Sequence, residues 1–149
     1  MYRHILVPVD GTKLSFDTAA QAVDLASEVK AQITFLYATP DLSATSDGAL
    51  LISVSPDKFV QRAKGETDTI LAKVAALAKA KGVAHETVSA VSDHPYIAII
   101  KTAEDKGCDL IFMASHRERG VKGLLRGSQT EKVVMNSPVA VCVAAVERD

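Results

Sequence analysis

The residues of this 149-residue chain best suited to chemistry gather in one stretch, Ser115-His116-Arg117-Glu118-Arg119-Gly120-Val121-Lys122-Gly123-Leu124-Leu125-Arg126-Gly127-Ser128. Arg117, Arg119, Lys122 and Arg126 oppose a single Glu118, and Gly120, Gly123 and Gly127 allow the backbone to approach a ligand closely. Ser128-Gln129-Thr130-Glu131 has the pattern of a reciprocal capping box, so the stretch ends where a helix begins. Free N–H groups and the positive end of a helix dipole suit an anion there, phosphate above all. The same residues also describe a solvated basic loop before an ordinary helix. The Ser128 hydroxyl fits either reading, as a donor to phosphate or as a cap. A second chemical group, Asp10-Gly11-Thr12, follows the first apolar run; its Asp10 serves as a turn former, a cap or a ligand.

Other chemistries lack their residues. No Gly-x-x-x-x-Gly-Lys-[Ser/Thr] loop is present, since Ser128 follows Gly127 without a lysine, and no Gly-x-Gly-x-x-Gly follows the first apolar run. A Gly-x-Ser-x-Gly elbow is missing as well. His4, His85, His94 and His116 have no paired spacing, so no metal site is expected. Asp10 alone does not make the acidic cluster of a phosphoacceptor domain, and the only candidates for a general base are Asp10 and His116.

A loop at 115–128 and a turn at 10–12 act together only if the fold joins them. The patterning alternates between strand and helix. His4-Ile5-Leu6-Val7-Pro8-Val9 is an apolar run suited to a strand covered on both faces. Phe16, Ala19, Ala20, Val23, Ala26 and Val29 recur at helical intervals, predicting a helix over 15–30 with Ser15 as its cap. A strand over 33–38 follows. Segment 39–54 is less readable and is expected to cover a site or to connect. Ser55-Pro56 opens a helix with Phe59, Ala63, Ile70, Val74 and Leu77 buried, ended by Gly82. A third strand is expected at 85–91, then a helix from Asp93 to Gly107 burying Ile97 and Ile100. Strand 109–115, a short helix 128–136, Pro138 and strand 139–146 complete the chain.

This alternation specifies an α/β fold with a mainly parallel sheet and right-handed crossovers. The ligand site of such a sheet lies beyond the carboxyl ends of its strands, where the strand order reverses. Five strands fit order 3-2-1-4-5, with the crevice between strands 1 and 4, or order 2-1-3-4-5, with it between strands 1 and 3. Asp10 borders the crevice in both.

Size and charge agree with a small-ligand binder. A chain of 149 residues predicts one domain, 1–149. With 48% hydrophobic residues it is too apolar for disorder. Its 17 basic and 18 acidic residues leave a net charge of −1, which disfavours nucleic acid and membrane surfaces as partners. Neither a signal peptide nor a membrane span is expected. Cys108 and Cys142 are expected as buried free thiols in a cytoplasmic protein.

Several segments together resemble the universal stress protein family of UspA-like domains. They are Ile5-Leu6-Val7-Pro8-Val9-Asp10-Gly11, Asp109 through His116, Gly123-Leu124-Leu125-Arg126-Gly127-Ser128, Glu131-Lys132-Val133 and Pro138-Val139-Ala140-Val141. The resemblance spans nearly the whole chain apart from 39–54. It implies a doubly wound, five-stranded Rossmann-like sheet in order 3-2-1-4-5 with four helices. It also implies a homodimer through the last strand, 139–146, and a stress-response module that binds ATP in the crevice between strands 1 and 4. AMP or ADP, and Mg2+ held through the phosphates, belong to the same expectation. ATP-binding members carry Gly-x-x-Gly, nine residues, then Gly-Ser or Gly-Thr. Counting back from Gly127-Ser128 puts Arg117 and Ala114 at the first two glycine positions. Arg117 either makes a bidentate phosphate contact or fills the crevice. The implied site has Pro8, Val9, Asp10 and Ala38 holding adenine and ribose. Met113, Ala114 and Arg117 flank the phosphates, and Gly127, Ser128, Gln129 and Thr130 bind them. The alternative is a relative that has lost the nucleotide and acts through protein contacts alone. Any catalysis is limited to weak ATP hydrolysis or autophosphorylation.

Overall fold

The computed structural model describes residues 1–39, 56–114 and 127–144. Five strands form one sheet: β1 (His4–Val9), β2 (Gln32–Thr39), β3 (His85–Val91), β4 (Leu110–Ala114) and β5 (Ala140–Ala144). All neighbours run parallel in the order β3-β2-β1-β4-β5, which selects the first of the two orders that alternation allowed. Four helices connect them: α1 (Lys13–Val29), α2 (Pro56–Ala80), α3 (Pro95–Lys106) and α4 (Gly127–Asn136).

The strands' alternation divides the core in two. Ile5, Val7 and Val9 of β1 join Ile33, Phe35, Leu110 and Phe112 under α1 and α2. Leu6, Leu36, Ala38, Ile111 and Met113 face the other way, against Ala98, Ile99 and Ala103 of α3 and Val133 of α4. Burial on both faces explains why β1, β2 and β4 read as nearly continuous apolar runs.

The helix boundaries depart from the sequence expectation in instructive ways. α1 starts at Lys13 with Thr12 as its cap, not at Ser15. The Ser15 N–H donates to Thr12 Oγ1 at 3.2 Å and the Ser15 hydroxyl to the Thr12 carbonyl at 2.9 Å, so Ser15 lies inside the first turn. In α2, Ala63 is exposed; the buried stripe is Ile70, Leu71, Val74 and Ala78, with Leu77 half-buried. That helix stops as expected, with Gly82 at φ +68° and Val83 N–H on the Ala78 carbonyl. α3 has His94 rather than Asp93 at its N-cap position, with no capping bond from the His94 side chain, and buries Ala98, Ile99 and Ala103, leaving Ile97 47% exposed and Ile100 half-buried.

Cys108 is buried and Cys142 only partly so; neither is in a disulfide. Among the described residues no helix is long and apolar enough to cross a membrane, and no group of three His, Cys, Asp or Glu gathers as a metal site. Segment 40–55, residues 115–126 with Arg117 and His116, and residues 145–149 lie outside the described residues, as do the side chains of Phe59 and Ser128.

Candidate functional site

The switch point of the sheet falls between β1 and β4, and there the pairing is incomplete. β1 pairs with β2 along its whole length, from His4 opposite Gln32 to Val9 opposite Tyr37. β4 pairs with β5 along its whole length, from Leu110 opposite Ala140 to Ala114 opposite Ala144. Between β1 and β4 only Ile5–Leu110 and Leu6–Ile111 are paired. The carboxyl ends of the two central strands, Val7–Val9 and Phe112–Ala114, therefore do not continue the ladder. This is where an open parallel sheet takes its ligand.

Pro8 and Ala38 are buried, and strand alternation puts them on the α3–α4 side with Met113. Val9 points to the opposite core, and Val9, Met113 and Ala114 are fully enclosed. Asp10 lies just past the end of β1, partly exposed. Its Oδ1 accepts the Thr12 hydroxyl at 2.6 Å and the Thr12 N–H at 3.0 Å. Thr12 in turn caps α1, so Asp10 fixes the turn as a cap-orienting residue. Gly11 completes that turn at φ +83°, and a Cβ on it would meet Ile70 Cδ1 at 2.9 Å.

On the other wall, the first turn of α4 is fastened at two points. The Thr130 hydroxyl donates to the Ala114 carbonyl at 3.2 Å, holding α4 to the end of β4. Gln129 Oε1 accepts the Tyr96 N–H at 3.3 Å, which supplies the cap that His94 does not give α3. Lys132, one turn along α4, sits 5.4 Å from the Tyr96 ring centroid. The side chains of Gln129 and Thr130 are thus engaged within the protein, and what they offer an anion is their backbone N–H groups. Gly127 stands at the helix start, and α4's first N–H groups have no partner within the helix.

Sequence reasoning missed Tyr37 and Tyr96. Burial first, then the carboxylates of Glu66 and Asp10, raises the Tyr37 phenol above its ordinary value, so it stays a neutral hydroxyl beside Asp10. Its place one residue before Ala38 was the available signal. Tyr96 carried none, because its part in the site is played by its backbone N–H and ring.

A five-stranded sheet with its central ladder cut short beside a helix N-terminus defines a Rossmann-like binding fold. The profile described as "Universal stress protein family" matches residues 1–145, and the chain belongs to that family. Universal stress protein YxiE of Bacillus subtilis is 29% identical over 99% of this chain and 100% of its own length. Among solved structures, protein MJ0577 of Methanocaldococcus jannaschii superposes with a TM-score of 0.71 at 23% identity, covering 100% of this chain and 99% of its own. A universal stress protein in complex with cAMP gives 0.66 at 21% identity, covering 96% of both chains. One from Archaeoglobus fulgidus in complex with dAMP gives 0.64 at 17% identity, covering 95% of this chain and 97% of its own.

Proposed function

We propose that this universal stress protein is a single-domain, cytoplasmic stress-response module that binds an adenine nucleotide between β1 and β4 and acts as a dimeric regulator. The observation that carries this reading is the unpaired end of β1 and β4, with the N-terminus of α4 fastened beside it through Thr130. Relatives solved with cAMP and with dAMP support the adenine nucleotide as the ligand class. The reading assigns base and ribose to Pro8, Val9, Asp10 and Ala38. A carboxylate accepts hydrogen bonds but cannot donate them, so Asp10 suits ribose hydroxyls rather than phosphate. Phosphates lie against Met113, Ala114, Arg117 and the helix start at Gly127, Ser128, Gln129 and Thr130, with ATP and Mg2+ as the fullest occupant and AMP or ADP as shorter ones.

Dimerisation is assigned to β5, an edge strand with Val143 exposed, which follows α4 with its exposed Val134 and Met135. The free thiols of Cys108 and Cys142 suit a reducing compartment. Native mass spectrometry of the purified protein, followed by titration with Mg-ATP, tests both halves together. A dimer carrying one nucleotide per chain is the expected result. A species that neither co-purifies with nor takes up nucleotide overturns the ligand half and leaves the relative that acts through protein contacts alone; a monomer overturns the dimer.

A further inference from the structure

We infer that Pro8 keeps the crevice between β1 and β4 available to a ligand by withholding the N–H that the next rung of their ladder needs. The direction of each β1 residue follows from two bonds at its start. The Arg3 carbonyl accepts the Gln32 N–H at 2.9 Å, and the His4 carbonyl accepts the Asp109 N–H at 2.9 Å. Backbone groups of a strand alternate sides, so odd residues of β1 address β2 while His4, Leu6 and Pro8 address β4. After Leu6–Ile111, the next rung pairs Val7 with Phe112, and it requires the N–H of residue 8 to reach the Phe112 carbonyl. Proline has no N–H.

The β1–β4 ladder stops at that rung and does not resume. β1 continues to Val9 against β2, and β4 continues to Ala114 against β5, so neither strand has ended. The interruption is confined to the one pair and the one end where the sheet's order reverses. Proline in a buried central strand is otherwise avoided, because it removes a ladder bond. Here that loss serves the site. Pro8 is thus a positioning residue: it acts through the separation of two backbones, whatever its ring touches.

The ladder half of this inference stands on the backbone alone; the ligand half rests on the nucleotide reading above. Pro8→Ala and Pro8→Val both restore an N–H, and valine also keeps apolar bulk in a strand. The expected result in both is a through-hydrogen-bond coupling between the residue 8 nitrogen and the Phe112 carbonyl carbon in the ligand-free protein, and a melting temperature no lower than that of the parent. Mg-ATP affinity measured by calorimetry should fall at least tenfold in both. Absence of the coupling overturns the inference. A normal affinity in Pro8→Val with the coupling present overturns the ligand half, as does loss in Pro8→Ala alone, which marks a ring contact. If the parent protein binds no nucleotide while the coupling forms, the nucleotide reading fails and the ladder half is confirmed.

Discussion

Single side chains at the amino edge of the sheet hold together strands that are far apart in sequence. The Asp109 carboxylate accepts the Arg3 N–H at 2.9 Å and the His4 N–H at 3.0 Å, joining the start of β4 to the start of β1. Next to it, Thr34 donates to Glu86 at 3.1 Å and lies 2.6 Å from His4 Nε2. A hydroxyl has one proton, and Thr34 gives it to an acceptor-only carboxylate, so His4 Nε2 must be the donor in the second bond. Burial pushes the Asp109 carboxyl up, but the N–H groups of Arg3, His4 and Asp109 itself outweigh it, and the net value lies below the ordinary one. The stabilisation from Asp109 is therefore complete above the ordinary carboxylate value of about 3.9 and is lost as pH falls through the lower folded value. Asp109→Asn should cost about 1 kcal/mol near pH 7. The gap from the parent should narrow as pH falls below about 3.9, where the carboxyl of the unfolded parent takes up its proton before the folded one does. Urea denaturation of both proteins at pH 7, 5 and 3 measures it; a gap that stays constant across the three excludes ionisation of Asp109 as its source.

At the scale of elements, what the sequence revealed and what it hid have separate physical causes. All five strands and all four helices were legible, because burial on both faces makes β1, β2 and β4 apolar throughout and glycine at 82 and 107 ends two helices in the left-handed region. The buried sides of the helices were less legible. α1 buries Ser15 and Thr18, whose hydroxyls donate to the carbonyls of Thr12 and Leu14, so polar residues sit inside at little cost and escape a count of apolar ones. In α3 three isoleucines, 97, 99 and 100, compete for one face, and the small Ala98 and Ala103 mark the line of closest approach. In the candidate site Asp10 was legible as a turn former, but not as the carboxylate that orients the Thr12 cap, since such a contact leaves no periodic trace. The corrected face of α3 has a direct consequence. Ile99→Ala removes a fully buried side chain and should cost about 2–5 kcal/mol. Ile97→Ala, at a position 47% exposed, should stay within about 0.5 kcal/mol of the parent. Equal costs for the two would restore the face that sequence periodicity suggested.

The whole molecule has two ends, and positive charge alone does not choose between them. At the amino end, Arg3, Lys30 and Lys81 line a cavity of about 550 Å³, with Lys81 lying 3.5 Å from Asp24. At the carboxyl end stand Asp10, the incomplete β1–β4 ladder and the start of α4. Helix direction separates them. Parallel strands joined by right-handed crossovers send every helix back along the sheet, so helices begin at the carboxyl end and finish at the amino end. α1 and α2 finish beside Lys30 and Lys81, which offset the partial negative charge of those termini. An anion at the amino end would meet that negative charge; at the carboxyl end it would meet N–H groups. The two ends of β1 are separated by about 17 Å at about 3.3 Å per residue, well beyond the Debye length of about 8 Å at physiological salt. Replacing Lys30 and Lys81 together by Glu should therefore leave Mg-ATP affinity within about twofold of the parent by calorimetry. In the same samples, Mg-ATP should slow amide exchange at residues 9–12 and 127–130 and leave 30–32 and 81–84 unchanged. Protection at 30–32 and 81–84, or a tenfold loss of affinity in the double variant, would move the ligand to the amino end and leave the incomplete ladder at Pro8 without a nucleotide to serve.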